Sequence, residues 1–215
     1  MRLYGYWRST SSWRVRLALA LKNIQYDNHP VHLVKEGGLQ RTDDYRKMNP
    51  MQQVPLLEWN EGGQVHRLAQ SVAICEFLEQ RHPDPSLLPA DALLRARTRA
   101  LVEVINAGIQ PLQNLRLLQT VEAAGIDKVE WAARWIRDGF TALETMLQDT
   151  SGTFCVGDTV TLADVFLVPQ IYNARRFKVD LSSFPTIVGI DEACASEPAF
   201  MAAHPDRQPD APPSA

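Results

Sequence analysis

The stretch Trp7-Arg8-Ser9-Thr10-Ser11-Ser12-Trp13-Arg14-Val15-Arg16 lies between a short apolar strand pattern, Leu3 to Tyr6, and an apolar helical run that ends at Lys22. It contains four consecutive hydroxyl residues, which are poorly suited to a core. The free backbone N–H groups of a helix start point in the same direction as such hydroxyls. Together with the positive charge of Arg8, this pattern predicts a site for an anion or a thiolate.

A serine cluster before a helix often does no more than cap that helix, and Ser12 is predicted to be the cap here. One cap requires one hydroxyl. The remaining hydroxyls of Ser9, Thr10 and Ser11 therefore favour a binding function for this junction over capping alone.

The composition is ordinary for a globular protein, with 45% hydrophobic and 22% charged residues and a formal net charge of −3. A chain of 215 residues is long enough for one large domain or two modest ones. The charge balance argues against nucleic-acid binding, which requires a basic surface. No apolar run is long enough to span a membrane, and the first residues do not resemble a signal peptide. We therefore expect no membrane association and a cytoplasmic location.

The three cysteines are widely spaced and odd in number, which fits a reducing compartment better than a disulfide framework. Of the five histidines, only His29 and His32 are close in sequence. Three positions apart in a strand, they point to opposite faces of the sheet. No metal site is therefore expected.

Strand and helix patterns alternate over residues 1–83, in the order βαβ and then ββα. The predicted elements are strands 2–6 and 26–33 around helix 12–22, a hairpin of strands 54–59 and 64–68, and helix 71–81. Asn60-Glu61-Gly62-Gly63 is a strong turn signal for the hairpin. Two strands joined by a helix predict a parallel pair, so we expect an α/β unit with a sheet of about four strands.

A proline-rich break follows, and residues 84–90 are predicted to be a linker. Residues 91–215 form the predicted helical domain. Its patterns are 90–119 with a bend near Gly108 and Pro111, 128–147, an apolar helix beginning at Thr161, 185–195, 198–203, and a loose tail from Pro209. Thr161 and Asp164 have the spacing of a capping box, which we interpret as structural and not as catalytic.

Pro55 opens an apolar strand, where its missing N–H would be unfavourable in a central position. A cis bond or a sharp turn would explain it. Such a turn would leave the N–H and C=O of Val54 free to pair with an extended peptide ligand. A plain turn that leads into the strand explains the spacing equally well.

A small α/β unit with a Val-Pro turn, a helix opened by Gln70-Ser71 and a following helical domain resemble the glutathione transferase superfamily. Ser9 to Arg16 is similar to the zeta-class signature, usually Ser-Ser-Cys-Ser-Trp-Arg-Val-Arg. Other stretches that resemble this class are Asn49 to Pro55, Gly108 to Asn114, Arg176 to Leu181 and Arg207 to Asp210. The resemblance implies a thioredoxin-like βαβ-ββα domain followed by a C-terminal helical bundle, with glutathione as cofactor and a homodimeric assembly.

The zeta class includes glutathione-dependent maleylacetoacetate and maleylpyruvate isomerases of aromatic compound catabolism. By resemblance, glutathione's thiolate adds reversibly to the cis double bond of a small dicarboxylate. Ser11 stands where many members have cysteine, so the nucleophile must be the sulfur of glutathione. Two alternatives stay open: conjugation or dehalogenation of small electrophiles such as α-haloacids, and a non-catalytic glutathione-binding protein.

The resemblance also assigns residues. Ser9 is the first candidate for the hydroxyl partner of the thiolate, followed by Thr10 and Ser11. The candidates for binding glutathione are Gln53, Val54, Gln70, Ser71, Gln110 and Asn114. We expect Gln110 and Asn114 to lie on one face of the same helix, four residues apart. By resemblance, the candidates for binding substrate carboxylates are Arg8 and Arg176. Arg116, which lies past the bend at Pro111, is a weaker candidate suggested by its position alone.

Overall fold

The computed structural model describes residues 1–213, which divide into two compact units. The first unit contains Met1–Pro85 together with the chain from Pro198 onward, and the second contains Ser86–Glu197. Within the described residues, no helix combines the length and the apolar character needed to cross a bilayer.

The first unit is built on a mixed four-stranded sheet of order β2-β1-β3-β4. Its strands are β1 (Arg2–Gly5), β2 (Asp27–Pro30), β3 (Leu56–Glu61) and β4 (Gln64–Ala69). β1 pairs with β2 in parallel and with β3 antiparallel, and β3 and β4 form the predicted hairpin. The second strand is shorter than the predicted 26–33, and it lies at the edge of the sheet.

Three helices accompany these strands: α1 (Thr10–Leu21), α2 (Asp43–Met48) and α3 (Ser71–Arg81). α1 is buried along most of its length, with Val15, Leu17 and Leu19 fully buried. β1 and α1 approach each other closely at Gly5, where an added Cβ would lie 3.3 Å from the Cβ of Ser12. The small residues at these two positions therefore set the distance between strand and helix.

A buried lysine, Lys22, fixes the end of α3 and the segment that follows it. Lys22 Nζ donates hydrogen bonds to the carbonyl oxygens of His82 (2.6 Å) and Pro85 (2.9 Å). It also pairs with Glu79 Oε2 at 2.7 Å, and its side chain is 0% exposed. Because one cation collects two carbonyls and a carboxylate, the chain after α3 is fixed to α1 up to Pro85.

The second unit is helical. Its helices are α4 (Ala92–Glu103), α5 (Leu115–Ala123), α6 (Lys128–Leu147), α7 (Leu162–Arg176) and α8 (Pro185–Ala195). The single pattern predicted over 90–119 is interrupted by a π-helical segment, Val104–Ile109, and a 3₁₀ turn, Gln110–Gln113. α6 lies very close to this interruption, because a Cβ added at Gly139 would overlap the side chain of Ile109.

The predicted capping box at the start of α7 is confirmed. Asp164 Oδ2 accepts hydrogen bonds from the N–H (2.7 Å) and the hydroxyl (2.9 Å) of Thr161. Asp164 Oδ1 accepts a further one from the N–H of Cys155 at 2.7 Å. Burial raises the pKa of Asp164, and the hydrogen bonds oppose this shift. The helix that follows is buried from Leu162 to Ile171 and continues through Pro169.

The C-terminal segment belongs to the first unit and not to the helical domain predicted for 91–215. Its helix α9 (Pro198–Ala203) packs against α1, and the C=O of Ala203 accepts a hydrogen bond from Arg16 Nε at 3.2 Å. Asp210, predicted to lie in a loose tail, accepts a hydrogen bond from the N–H of Trp7 at 2.9 Å. These contacts explain the difference from the predicted domain division. Residues 214 and 215 of the predicted tail lie outside the described residues.

Replacing Asp164 with alanine would leave buried N–H groups of Thr161 and Cys155 without their acceptor. We expect Asp164→Ala to lower the free energy of unfolding by about 3 kcal/mol, measured by urea denaturation. Asp158 is the matched control, because it accepts hydrogen bonds from the N–H and Oγ1 of Thr153 in an exposed loop. Water can replace these bonds in Asp158→Ala, so its loss should stay below about 1 kcal/mol. Equal losses in the two variants would contradict the structural role of the capping box.

Candidate functional site

Ser9, and not Ser12, caps α1. Its backbone is extended (φ −70°, ψ 117°), and its Oγ accepts a hydrogen bond from the N–H of Ser12 at 3.2 Å. The prediction that Ser12 is the cap is wrong, because Ser12 already lies in the first turn of the helix. Ser12 is 0% exposed, and its Oγ accepts a hydrogen bond from the N–H of Tyr6 at 3.4 Å.

The capping bond determines what the Ser9 hydroxyl can still do. A serine hydroxyl has one donor and two acceptor positions. Because the cap uses an acceptor position, the O–H of Ser9 stays available as a donor. Ser9 and Ser11 are half-buried, whereas Thr10 is only 5% exposed. The structure therefore leaves the hydroxyls of Ser9 and Ser11 accessible at the helix start and buries Thr10.

Arg8 lies directly before this cap and is half-buried. Its guanidinium carbon is 5.3 Å from the ring centroid of Trp7, a distance at which a cation is attracted to the ring. Arg8 therefore carries a positive charge on the residue that precedes the cap in the chain, and its guanidinium lies against the ring of Trp7.

A second cluster of polar residues in the first unit, after the one at the start of α1, lies at the start of α3. Gln70 precedes the helix with φ 75° and ψ 117°, a conformation that non-glycine residues adopt at an energetic cost. Ser71 is 5% exposed, and its Oγ accepts a hydrogen bond from Arg14 Nη1 at 3.3 Å. Because a guanidinium only donates, the Ser71 hydroxyl keeps its own proton for another acceptor. Sequence reasoning overlooked Arg14, whose position within the Trp-Arg-Val-Arg run gave no indication of a buried partner.

Of the cis bond and the sharp turn that the sequence left open at Pro55, the structure has the cis bond between Val54 and Pro55. Among residues 1–213, neither the N–H nor the C=O of Val54 forms a hydrogen bond with another part of the protein. The preceding carbonyl, that of Gln53, accepts hydrogen bonds from Tyr45 Oη and Asn49 Nδ2, both at 2.7 Å. Burial raises the pKa of Tyr45 to about 12, so its hydroxyl remains a donor at neutral pH. Tyr45 and Asn49 thereby fix the peptide that leads into Val54, a role that sequence reasoning did not assign.

The candidate residues of the second unit lie in separate elements. Gln110 opens the 3₁₀ turn, and Asn114 has an extended backbone between this turn and α5. The prediction that both lie on one face of the same helix is therefore wrong, because the helix is interrupted between them. Both side chains are half-buried, while Arg116 is exposed in the first turn of α5.

A buried amide cluster fixes the turn that carries Gln110. Gln113 Oε1 accepts hydrogen bonds from Gln170 Nε2 at 3.2 Å and from Asn173 Nδ2 at 2.9 Å. Gln113 Nε2 donates to the C=O of Ile109 at 3.3 Å. The sequence signal for this cluster was the pair of amides inside the otherwise apolar run of α7.

Arg176 ends α7 and is exposed, with its guanidinium carbon 4.9 Å from the ring centroid of Phe177. Its neighbour Arg175 forms an ion pair with Asp191 at 2.6 Å. Arg175 and Arg176 are adjacent exposed cations at the end of α7, which makes them useful for comparison by mutation.

None of the protein's own thiols is suited to nucleophilic chemistry. Cys75, Cys155 and Cys194 are free and buried, with exposed fractions of 0%, 1% and 0%. Burial raises the pKa of Cys75 to about 12 and raises the pKa of the other two thiols as well. A reaction that needs a thiolate near neutral pH must obtain it from a ligand. Among residues 1–213, no group of three or more His, Cys, Asp or Glu side chains is arranged to hold a metal ion.

Residues 8–81 match the family of glutathione S-transferase N-terminal domains, and residues 121–202 match the family of the corresponding C-terminal domains. This chain belongs to the glutathione S-transferase family. A maleylacetoacetate isomerase of Mus musculus is 49% identical to it, over 98% of this chain and 94% of the mouse protein. The predicted glutathione transferase architecture is confirmed.

Solved structures of other family members are also similar. Maleylacetoacetate isomerase from Anaeromyxobacter dehalogenans, with glutathione bound in its active site, is 53% identical with a TM-score of 0.92, covering 98% of this chain and 97% of that one. Another structure of the same protein holds dicarboxyethyl glutathione and citrate in the active site, with 51% identity, a TM-score of 0.90 and coverage of 99% and 94%. A holo structure of a bacterial zeta-class maleyl pyruvate isomerase is 44% identical, with a TM-score of 0.91 and coverage of 99% and 100%. The resemblance of this family member to the zeta class is confirmed.

Ser71→Ala removes a hydroxyl whose acceptor position is occupied by Arg14 and whose proton faces no partner within the described residues. Loss of one hydrogen bond to a charged group should weaken glutathione binding about tenfold, as measured by isothermal titration calorimetry. Ser183→Ala, at an exposed serine of the second unit, is the control and should leave the affinity unchanged. An unchanged affinity in Ser71→Ala would exclude Ser71 from the binding site.

Proposed function

We propose that this chain is a glutathione-dependent cis–trans isomerase that converts maleylacetoacetate to fumarylacetoacetate. The glutathione thiolate bonds to one carbon of the cis double bond, and the π electrons move to the conjugated carbonyl as an enolate. The bond between the two carbons is now single and rotates. Return of the electrons re-forms the double bond in the trans geometry and expels the thiolate unchanged.

The observation that carries the proposal is the capped helix start at Ser9. A free thiol titrates near ~8.5, and lowering its pKa by ~2 units requires about 2.7 kcal/mol of preferential stabilisation of the anion. One hydrogen bond to a charged group contributes about 1.5–3 kcal/mol. The O–H of Ser9 and the adjacent N–H groups at the start of α1 are donors that can contribute stabilisation of this size.

Glutathione would bind to the first unit by its peptide and by its γ-glutamyl end. The N–H and C=O of Val54, which have no partner among residues 1–213, suit an extended peptide, with Gln53 beside them. Ser71 and Gln70, at the start of α3, suit a carboxylate, because the hydroxyl and the helix N–H groups are donors. We assign Gln110 and Asn114 of the second unit to further contacts with glutathione, on the basis of the zeta-class resemblance.

The substrate brings carboxylates and develops an enolate, which calls for cationic partners. Arg8 adjoins Ser9 in the chain, and Arg176 and Arg116 are exposed in the second unit. We propose these three arginines for the substrate. Support for a dicarboxylate comes from the related Anaeromyxobacter structure, which holds dicarboxyethyl glutathione and citrate.

Ser11 is consistent with a borrowed nucleophile. It is half-buried in the first turn of α1, at the position where the zeta-class signature has cysteine. The three cysteines of this chain are buried elsewhere. We propose that Ser11, with Thr10, shapes the surroundings of the sulfur and affects affinity more than turnover.

We further propose a homodimer in the cytoplasm. Support for an interface comes from the large apolar side chains of Met51 (61% exposed) and Val65 (57% exposed) in the first unit. Support for a reducing compartment comes from the three unpaired cysteines.

The experiment supplies maleylacetoacetate, maleylpyruvate and an α-haloacid separately, with and without glutathione, and follows loss of the cis compound and of free glutathione. We expect isomerisation of maleylacetoacetate only when glutathione is present, with no net consumption of glutathione. Ser9→Ala should lower kcat roughly 10–100-fold, Ser11→Ala should mainly change KM, and Ser9→Thr should restore turnover because it keeps both the cap and the donor.

Since loss of the cap costs about 1 kcal/mol of stability, kcat is compared well below each variant's unfolding transition. Net consumption of glutathione with the haloacid, without isomerisation, would replace the proposed activity by conjugation or dehalogenation. Equal and negligible effects of Ser9→Ala and Ser11→Ala would refute the role of Ser9.

Arg176→Met should raise KM for the dicarboxylate about tenfold, because one charge-assisted hydrogen bond to a carboxylate is lost. The affinity for glutathione should not change. Arg175→Met is the matched control, since it removes the neighbouring cation, which is paired with Asp191. The same rise in KM for both variants would indicate a general loss of positive charge and not a specific contact of Arg176.

A further inference from the structure

The peptide units before Ser9 are held by two residues from distant parts of the chain. The N–H of Trp7 donates a hydrogen bond to Asp210 Oδ2 at 2.9 Å. The C=O of Trp7 accepts one from Arg16 Nη2 at 2.9 Å. Both backbone polar groups of Trp7 are therefore fixed. Arg16 of α1 holds the C=O, and Asp210 of the C-terminal segment holds the N–H.

Arg16 extends this restraint to the rest of the turn. Its Nη1 donates to the C=O of Tyr6 at 3.4 Å, and the same carbonyl accepts a hydrogen bond from the N–H of Ser9 at 3.0 Å. Its Nε donates to the C=O of Ala203 at 3.2 Å. Arg16 is 2% exposed, so its planar guanidinium joins the turn before α1 to the end of α9 from a buried position.

The segment that carries Asp210 is itself anchored. The rings of His204 and Trp13 meet edge to face at 5.3 Å. Gln208 is 9% exposed, and its Nε2 donates to the carbonyl oxygens of Ala202 (3.3 Å) and His204 (2.9 Å). Asp210 is therefore held by an anchored segment. It is half-buried beside the turn before α1, where it accepts the hydrogen bond from the N–H of Trp7.

We propose that Asp210 is a positioning residue: together with Arg16 it fixes the Trp7 peptide so that Arg8 and the Ser9 hydroxyl are held in place for the glutathione thiolate and the substrate. This inference rests on the proposed function. Asp210 does not touch the reacting atoms and acts only through the backbone of Trp7.

The geometry explains why a small displacement would matter. Trp7 lies two positions before Ser9, and rotation of an unrestrained Trp7 peptide would change the direction of Arg8 and Ser9 together. The donor that stabilises a thiolate must lie within hydrogen-bond distance of the sulfur. A displacement of about 1 Å at such a position is enough to reduce a rate substantially.

The test compares Asp210→Ala, Asp210→Asn and Asp206→Ala with the unmodified protein. The pKa of bound glutathione is measured from the ultraviolet absorbance of its thiolate as a function of pH, together with kcat and KM. Asp210→Ala removes the acceptor of the Trp7 N–H, so the pKa of the bound thiol should rise by about 1 unit and kcat should fall about tenfold.

Two comparison variants separate the hydrogen bond from the charge and from the segment. Asp210→Asn retains an acceptor oxygen, so its thiol pKa and its kcat should be close to those of the unmodified protein. Asp206 lies in the same segment and is exposed, and its carboxylate is 3.6 Å from His204 Nδ1, so Asp206→Ala should match the unmodified protein.

If bound glutathione in the unmodified protein titrates like the free thiol, the proposed function fails, and this inference fails with it. If the unmodified protein lowers the pKa of the thiol but Asp210→Ala lowers it equally and keeps its kcat, the inference alone is overturned. A change in the unfolding temperature of Asp210→Ala without a change in the pKa or in kcat would likewise overturn it. Should Asp210→Ala fail to fold, Asp210→Glu, which keeps the charge and shifts the acceptor, provides the same comparison of thiol pKa and kcat.

Discussion

The hydrogen bond from the Ser12 N–H to the Ser9 Oγ starts α1, and the polar groups of the first unit depend on where this helix begins. Ser12 faces Gly5 of β1. An α-helix turns about 100° per residue, so Arg14 and Arg16, two positions apart, project to nearly opposite sides. Arg14 contacts Ser71 at the start of α3, and Arg16 contacts the turn before α1. The residue at which the cap starts α1 thus determines the directions in which Arg14 and Arg16 project, and with them the contacts at the start of α3 and at the turn before α1.

The two hydroxyls of the first unit share a feature that suits an anionic ligand. At Ser9 an acceptor position is taken by a backbone N–H, and at Ser71 by the guanidinium of Arg14. Each hydroxyl is left with its proton to donate. Donors that are already oriented need no reorganisation when negative charge arrives. Because hydrogen bonds from within the protein occupy an acceptor position of each hydroxyl, both hydroxyls can act as donors to a carboxylate or a thiolate.

Local sequence patterns predicted what local interactions decide. The hairpin around Asn60-Glu61-Gly62-Gly63 and the capping box at Thr161 to Asp164 follow rules that act within a few residues, and both were found. The choice between Ser9 and Ser12 as the cap was not predictable, because both satisfy the same local rule and the packing of Gly5 on Ser12 decides between them. The partner of Asp210 is 203 positions away, and no pattern in one sequence joins residues over that distance.

The burial of the three cysteines has a consequence for the durability of the protein. Oxidants and electrophiles react with accessible thiolates, and buried thiols with raised pKa are inert to them. With Ser11 at the start of α1, this position of the chain has no thiol that could form a mixed disulfide with glutathione or be alkylated by a reactive dicarboxylate. Chemical damage that reaches this helix start would fall on an exchangeable ligand, and the polypeptide would remain intact for the next molecule of glutathione.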